Sequence, residues 1–204
     1  MDLTLCDIIN RLHNAKELTY LELGVGNGKN FSQTLCKNKT SVDGFKGKDS
    51  ATFVGTTDEF FAQLDKDTKF DIVFIDACHH YDFVLRDFNN SIAHCKNWIV
   101  MHDMIPPTEG HTRPGRCSDG HKLLHHLIEK TNMQIYPMRD PARLGLTFIK
   151  IPGIQIAPPS ANKDMSYLEF SSWIKTVRLY EENEILDILN YSLKNDSSQS
   201  TTKL

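Results

Sequence analysis

The chain has 204 residues, a formal net charge of -3 and a pI near 6.3. That length suits one α/β domain with a substantial core and an extension. The charge balance gives no footing for a polyanionic partner, so no nucleic acid is expected. No apolar run reaches the length of a membrane span, and Met1-Asp2-Leu3-Thr4 lacks a basic signal-peptide start. Five scattered cysteines with no C-x-x-C spacing (Cys6, Cys36, Cys78, Cys95, Cys117) fit a reduced, cytoplasmic protein.

In chain order, Leu3, Leu5, Ile8, Ile9 and Leu12 fall on one helical face over about 3–15. That helix is expected to pack on the sheet and partly cover a ligand site. A strand is expected over about 18–23 and a helix over about 28–37, with Phe31 and Leu35 at helical spacing. Short strands follow at Thr40–Asp43 and Ala51–Val54. Thr57 is placed as the N-cap of a helix whose first turn holds Asp58 and Glu59. Phe70–Asp76 is almost continuously apolar, as a buried parallel strand should be. A helix over about 81–95 leads to a strand at 98–101.

A long polar loop from Asp103 to about Asp119 comes next, and loops of that length in compact domains are usually functional. A helix over about 120–130 precedes strands at 133–137 and 144–151, close enough to form an antiparallel hairpin. The alternation predicts a doubly wound, mainly parallel α/β sheet over residues 1–152. Residues 153–193 carry an amphipathic helical extension, serving as a lid, a dimer surface or sheet packing. Residues 194–204 are polar and expected to be disordered.

The chemistry concentrates at strand ends. Between the first strand and its helix stands Glu22-Leu23-Gly24-Val25-Gly26-Asn27-Gly28-Lys29. Glycines there let a ligand approach the backbone at a helix N-terminus. The third glycine arrives one residue too early for a dinucleotide fingerprint, and Leu23 and Asn30 break the P-loop pattern. What remains, E-x-G-x-G-x-G, resembles motif I of class I S-adenosylmethionine (SAM) methyltransferases.

In open α/β sheets, ligands lie beyond the strand carboxyl ends. Glu22, Asp43, Thr57, Asp58, Asp76, His102 and Asp103 all come at that edge. Asp43 suits a ribose diol, and Thr57 and Asp58 suit the border of an adenine. Glu22 is placed either under the glycine cradle or against the ligand's amino group. Eight of the nine histidines fall between His79 and His126. Histidine titrates near neutrality, so it can take the proton of a hydroxyl under attack. Asp76 and Asp103 could together hold a divalent cation, with oxygen donors favouring Mg²⁺ or Mn²⁺. His121 and His125 share a helix face but lack an H-E-x-x-H motif.

The segments Phe70–Tyr81, Val84-Leu85-Arg86-Asp87 and Met101-His102-Asp103 together resemble SAM-dependent methyltransferase family 24, over about residues 17–151. Thr57–Phe61 and His102–Glu109 resemble a subgroup found with glycan genes. A further resemblance, to the methyltransferase domain of a chlorella-virus glycosyltransferase, points to a rhamnose-containing glycan. The family resemblance implies a seven-stranded Rossmann-like SAM methyltransferase fold. By the same resemblance, SAM would bind Glu22, Gly24, Gly26, Asn27, Gly28, Asp43, Thr57, Asp58 and Asp76. His79, with Asp76 and His102, would be catalytic, and Asp76 and Asp103 would ligate metal. His102 stands where related sugar O-methyltransferases carry an acid, so a metal-free His79/His102 mechanism stays open. Tyr81, His111, Arg113 and His121 would face a sugar or glycan acceptor. The rival readings are a nicotinamide-dependent oxidoreductase, a non-catalytic module of the same fold, and a methyltransferase for a catechol-like acceptor. A homodimer and a place within a larger multidomain chain both remain open.

Overall fold

The structure, a computed structural model, describes residues 5–45, 49–139, 144–152 and 163–200, with side chains to residue 195. Seven strands form one sheet: β1 (Thr19–Leu23), β2 (Asn38–Asp43), β3 (Phe53–Val54), β4 (Phe70–Ile75), β5 (Cys95–Met101), β6 (Gln134–Pro137) and β7 (Thr147–Lys150). Their order is β3-β2-β1-β4-β5-β7-β6. β1 to β5 pair in parallel, while β7 lies antiparallel between β5 and β6. The expected hairpin is therefore present, and β7 is the strand it turns against the others.

Two cores follow from strand alternation. Tyr20, Ile72, Phe74, Trp98 and Val100 point to one face, where α1 (Leu5–Asn10), α2 (Lys29–Gln33) and α7 (Glu182–Ser200) supply Ile8, Phe31, Ile185 and Leu189. Leu21, Leu23, Val73, Ile75, Ile99 and Met101 point to the other. There α3 (Thr57–Gln63), α4 (Tyr81–His94), α5 (His121–Lys130) and α6 (Tyr167–Trp173) close the core. Burying each such large apolar side chain contributes about 1.5–3 kcal/mol.

Several expectations are corrected. α2 stops at Gln33, short of residue 37, and Leu35 is exposed. Thr34 turns its hydroxyl back onto the Asn30 carbonyl (2.9 Å), and Lys39 Nζ takes the carbonyls of Phe31 (2.7 Å) and Thr34 (2.8 Å), which caps the helix early. β3 is two residues long because Thr52 and Ser41 meet through their side chains rather than by a backbone ladder. The N-cap of α3 is Thr56, not Thr57: its hydroxyl accepts from Glu59 N–H, and Glu59 returns a bond to Thr56 N–H.

Of the C-terminal helices, α7 packs on the sheet through Ile185, Leu186 and Leu189, while α6 packs on α5. Phe170, Ile185 and Leu189 are buried. The stretch expected as a disordered tail continues α7 to Ser200, since Leu193 is still anchored in the core. Residues 153–162 of the linker and 201–204 of the tail lie outside the described residues.

Candidate active site

The strand parity that builds the cores also builds the site. Glu22, Asp76 and His102 continue the alternation of Tyr20, Phe74 and Val100, and β1, β4 and β5 are neighbours in register. Asp76 N–H donates to Leu23 O (2.8 Å) and His102 N–H to Ile75 O (3.1 Å), so pairing continues one step past each strand. That step places the functional side chains at one sheet edge.

The glycine loop leaves β1 with positive φ at Gly24 (86°), Gly26 (55°) and Gly28 (75°). At Gly24 the requirement is also spatial, because β1 and β4 nearly touch there. Asp43, at the end of β2, closes the loop: its Oδ2 accepts Val25 N–H (3.0 Å) and Gly26 N–H (3.1 Å), and its Oδ1 accepts Phe45 N–H (2.8 Å). Asn27 accepts Lys29 N–H (3.0 Å) through its side chain and steadies the entry to α2.

Glu22 lies beneath the loop and is buried. Its Oε2 accepts Tyr20 O–H (2.7 Å) and Asn30 Nδ2 (2.8 Å), while Asn30 Oδ1 accepts Cys6 N–H (2.8 Å). Glu22 thus ties β1 to α2 through side chains, and Asn30 ties α2 to α1. Burial pushes its carboxyl up to about 7, against the pull of the Tyr20 and Asn30 hydrogen bonds. This is the cradle-supporting role; Glu22 does not line the cleft.

The cleft itself has a volume of about 750 Å³ and runs from Gly24 and Gly26 past Asp43, Thr57 and Asp58 to Asp76 and Cys78. The N-terminal helix α1 packs on α2, and its residues do not line the cleft; Leu3 and Thr4 of the expected helix lie outside the described residues. Asp58 is held by Arg86 (2.9 Å), which also lines the cleft. Asp87, at the end of the Val84-Leu85-Arg86-Asp87 segment, also lines the cleft. It is 2% exposed, its Oδ1 has no hydrogen-bond partner, and burial raises its carboxyl to about 6.

At the far end of the cleft the acids and imidazoles interleave. His102 Nδ1 lies 2.9 Å from Asp76 Oδ1 and 3.2 Å from Asp103 Oδ1. His79 Nε2 lies 3.5 Å from the same Asp76 oxygen and 3.4 Å from Asp103 Oδ2. Asp103 adopts a left-handed backbone (φ 60°), unusual for a residue with a Cβ and a kind of strain that clusters at functional sites. Burial raises its carboxyl, with His102 and then His79 pulling the other way.

The resemblance implied a Mg²⁺ or Mn²⁺ ion on Asp76 and Asp103. The three donors that converge among the described residues are instead Asp76, His79 and His102. Two imidazoles and one carboxylate are a poor match for an ion that prefers oxygen throughout.

The expected acceptor residues scatter. His111 sits in the 3-10 turn Glu109–Thr112, bonded to Thr108 Oγ1 (2.8 Å), and Arg113 is exposed just after it. Tyr81 is core, not wall, and its backbone N–H binds Asp119 Oδ1 (2.7 Å). His121 is also buried: its ring lies 4.6 Å from Phe170, and burial drives it down to about 4. His125 stacks edge-on with Trp173 (4.7 Å). The i, i+4 histidines therefore seat α6.

Residues 21–104 match a family described as a methyltransferase domain. No curated protein matches the chain. Among solved structures it is similar to an O-methyltransferase from Bacillus cereus in complex with S-adenosylhomocysteine (SAH), at 13% identity and a TM-score of 0.52. That match covers 74% of this chain and 82% of the other. It is also similar to the O-methyltransferase TomG from Streptomyces achromogenes, involved in tomaymycin synthesis and solved with SAM, at 16% identity and a TM-score of 0.55. There the coverage is 73% of this chain and 78% of the other. At such identities these likenesses establish the shared fold, a Rossmann-like SAM methyltransferase fold with a seven-stranded sheet.

Proposed function

We propose that the chain is a SAM-dependent O-methyltransferase acting on a sugar hydroxyl, of a deoxyhexose such as rhamnose within a glycan. The observation that carries this reading is the double position of Asp76. It lines the cleft beside the glycine loop and also touches His102, so cofactor space and the histidine cluster share one wall. The solved neighbours hold SAM or SAH, which supports the cofactor. The ribose is assigned to Asp43, and the adenine to the end of the cleft near Thr57 and Asp58.

In the reaction, the acceptor oxygen attacks the sulfonium methyl carbon. The O–C bond forms as the S–C bond breaks, and neutral SAH leaves. The hydroxyl proton passes to His79 Nε2, which has Asp76 and Asp103 beside it to balance the imidazolium charge. Alignment supplies roughly 7–11 kcal/mol of such a barrier, and a positioned base adds about a hundred- to ten-thousand-fold. We assign the acceptor to the side of the polar loop, where the His111 charge acts on Asp103, and a polar wall favours a hydroxyl-rich acceptor over a flat apolar one.

The test pairs binding with turnover. SAH binding is measured by calorimetry in EDTA, and methyl transfer from labelled SAM is followed on rhamnosides and on catechol. Micromolar SAH binding with transfer to a rhamnoside is expected. His79→Ala should keep SAH binding and lose at least about a hundredfold in turnover. Absence of SAH binding overturns the reading, and transfer to catechol alone overturns the sugar assignment.

A further inference from the structure

The convergence of Asp76, His79 and His102 goes beyond what proton removal needs. We infer that these three side chains form a binding site for a borderline transition-metal ion of the Zn²⁺ or Co²⁺ type, and not for Mg²⁺.

The three donors converge on one point. One ligand atom from each residue lies within 4.8 Å of the other two. The Asp76 Oδ1 to His102 Nδ1 separation is 2.9 Å, and Asp76 Oδ1 to His79 Nε2 is 3.5 Å. Donors bonded at about 2.0–2.2 Å to one ion in tetrahedral or octahedral array lie about 2.9–3.6 Å apart. Both separations fall in that range, and the third pair, His79 and His102, lies within 4.8 Å. All three side chains are partly exposed, which leaves an entry path and room for water in the remaining positions.

Donor chemistry then chooses the ion. Neutral imidazole suits Zn²⁺, Co²⁺, Fe²⁺ and Ni²⁺, whereas Mg²⁺ wants oxygen at every position. Charge agrees: the Asp103 carboxylate flanks both imidazole nitrogens, so two carboxylates surround the place a dication would occupy. The backbone fixes the set before any ion arrives. His102 is held by β-ladder pairing to Ile75, and the carbonyl of His79 is packed close against Gly120.

The inference concerns the cluster on which the proposed function places its base, and one consequence rests on that reading. An ion on His79 Nε2 occupies the lone pair that would take the proton. Zn²⁺ would therefore inhibit transfer, and Mg²⁺ would not activate it.

The test reads binding directly. EDTA-treated protein is titrated by calorimetry with Zn²⁺, Co²⁺ and Mg²⁺, and the Co²⁺ form is examined by visible absorption. Zn²⁺ is expected to bind at least about a hundredfold more tightly than Mg²⁺. Co²⁺ should give ligand-field bands of a nitrogen and oxygen site without thiolate charge transfer. His79→Ala and His102→Ala should each weaken Zn²⁺ binding about tenfold or more. His102→Gln, close in size, serves should the alanine variant fail to fold. His13→Ala, at an exposed histidine bonded to Asn190, should leave binding unchanged. Equal affinity for Mg²⁺, no Zn²⁺ binding, thiolate bands, or Zn²⁺ binding indifferent to His79 and His102 would each overturn the inference. SAH binding in EDTA is a separate measurement, so loss of the metal site and loss of the methyltransferase reading are distinguishable.

Discussion

Gly24 and the carbonyl of Asp76 are packed so closely that a Cβ on residue 24 would lie 2.2 Å from that oxygen. The contact is backbone on backbone, so no rotamer change relieves it. Gly24 also needs φ of 86°, which costs an L-residue about 1–2 kcal/mol. Gly24→Ala should therefore destabilise the domain by about 2 kcal/mol or more, adding overpacking to strain. Gly26 gives the contrast, with open space where its Cβ would go. Gly26→Ala should cost only the strain of its positive φ. Urea unfolding of the two variants checks the order; equal losses would contradict it.

Glu22 gives the fold a pH dependence. Its carboxyl titrates near 7 in the folded chain, chiefly through burial, against an ordinary value of 4.5. Between those values the folded state holds a proton that the unfolded state has released. Stability from this group is thus full below about pH 4.5 and is lost as pH rises through about 7, by roughly 3 kcal/mol. Glu22→Gln keeps a carbonyl to accept from Tyr20 O–H and Asn30 and removes the titration. The wild-type chain should lose stability relative to this variant between pH 5 and pH 8 in urea melts. Parallel pH profiles would refute the assignment.

The contrast between Asp76 and His121 shows what the sequence could and could not disclose. Asp76, Asp43 and the glycines were legible because a parallel strand's end is fixed by its apolar run, and the residue after it must fall at the ligand edge. Strand count and the closing hairpin followed from the same periodicity. The burial of His121 is not legible locally, because its environment is made by α6, which returns from some 45 residues further on to cover it. The same holds for Tyr81: its position after the motif is local, but its burial depends on how α4 lies on the sheet. The Thr56 cap was readable, since Thr56-x-x-Glu59 is a capping-box signature, yet Thr57 is an equally good residue type one place later. The Asp76, His79 and His102 convergence needs the β4–β5 register, which no local pattern supplies.

Asp43 holds the glycine loop with three charge-assisted bonds from backbone N–H groups. Hydrogen bonds to a charged group contribute about 1.5–3 kcal/mol each, and losing them frees the loop that would cradle the cofactor. Asp43→Ala should weaken SAH binding by at least about tenfold, which is the lower end of one such bond. Asp43→Asn retains one acceptor oxygen and should fall between wild type and alanine. Calorimetry ranks the three, and an alanine variant that binds SAH like wild type would remove Asp43 from the cofactor site.

Phe170 tests whether the C-terminal helices are a lid or part of the domain. It is fully buried, lies 4.6 Å from His121 and 5.7 Å from Trp173, and joins α6 to α5. A lid residue could be truncated with little loss of stability. A core residue cannot: Phe170→Ala should cost about 3–5 kcal/mol. For a chain of this size that is a fall in Tm of about 6 °C or more. The variant should also free the His121 imidazole, held down to about 4 by burial, to titrate closer to its ordinary 6.5. Histidine NMR titration reads that change at one residue. A thermal midpoint within a degree of wild type, with His121 still titrating near 4, would show that α6 is not held by this contact.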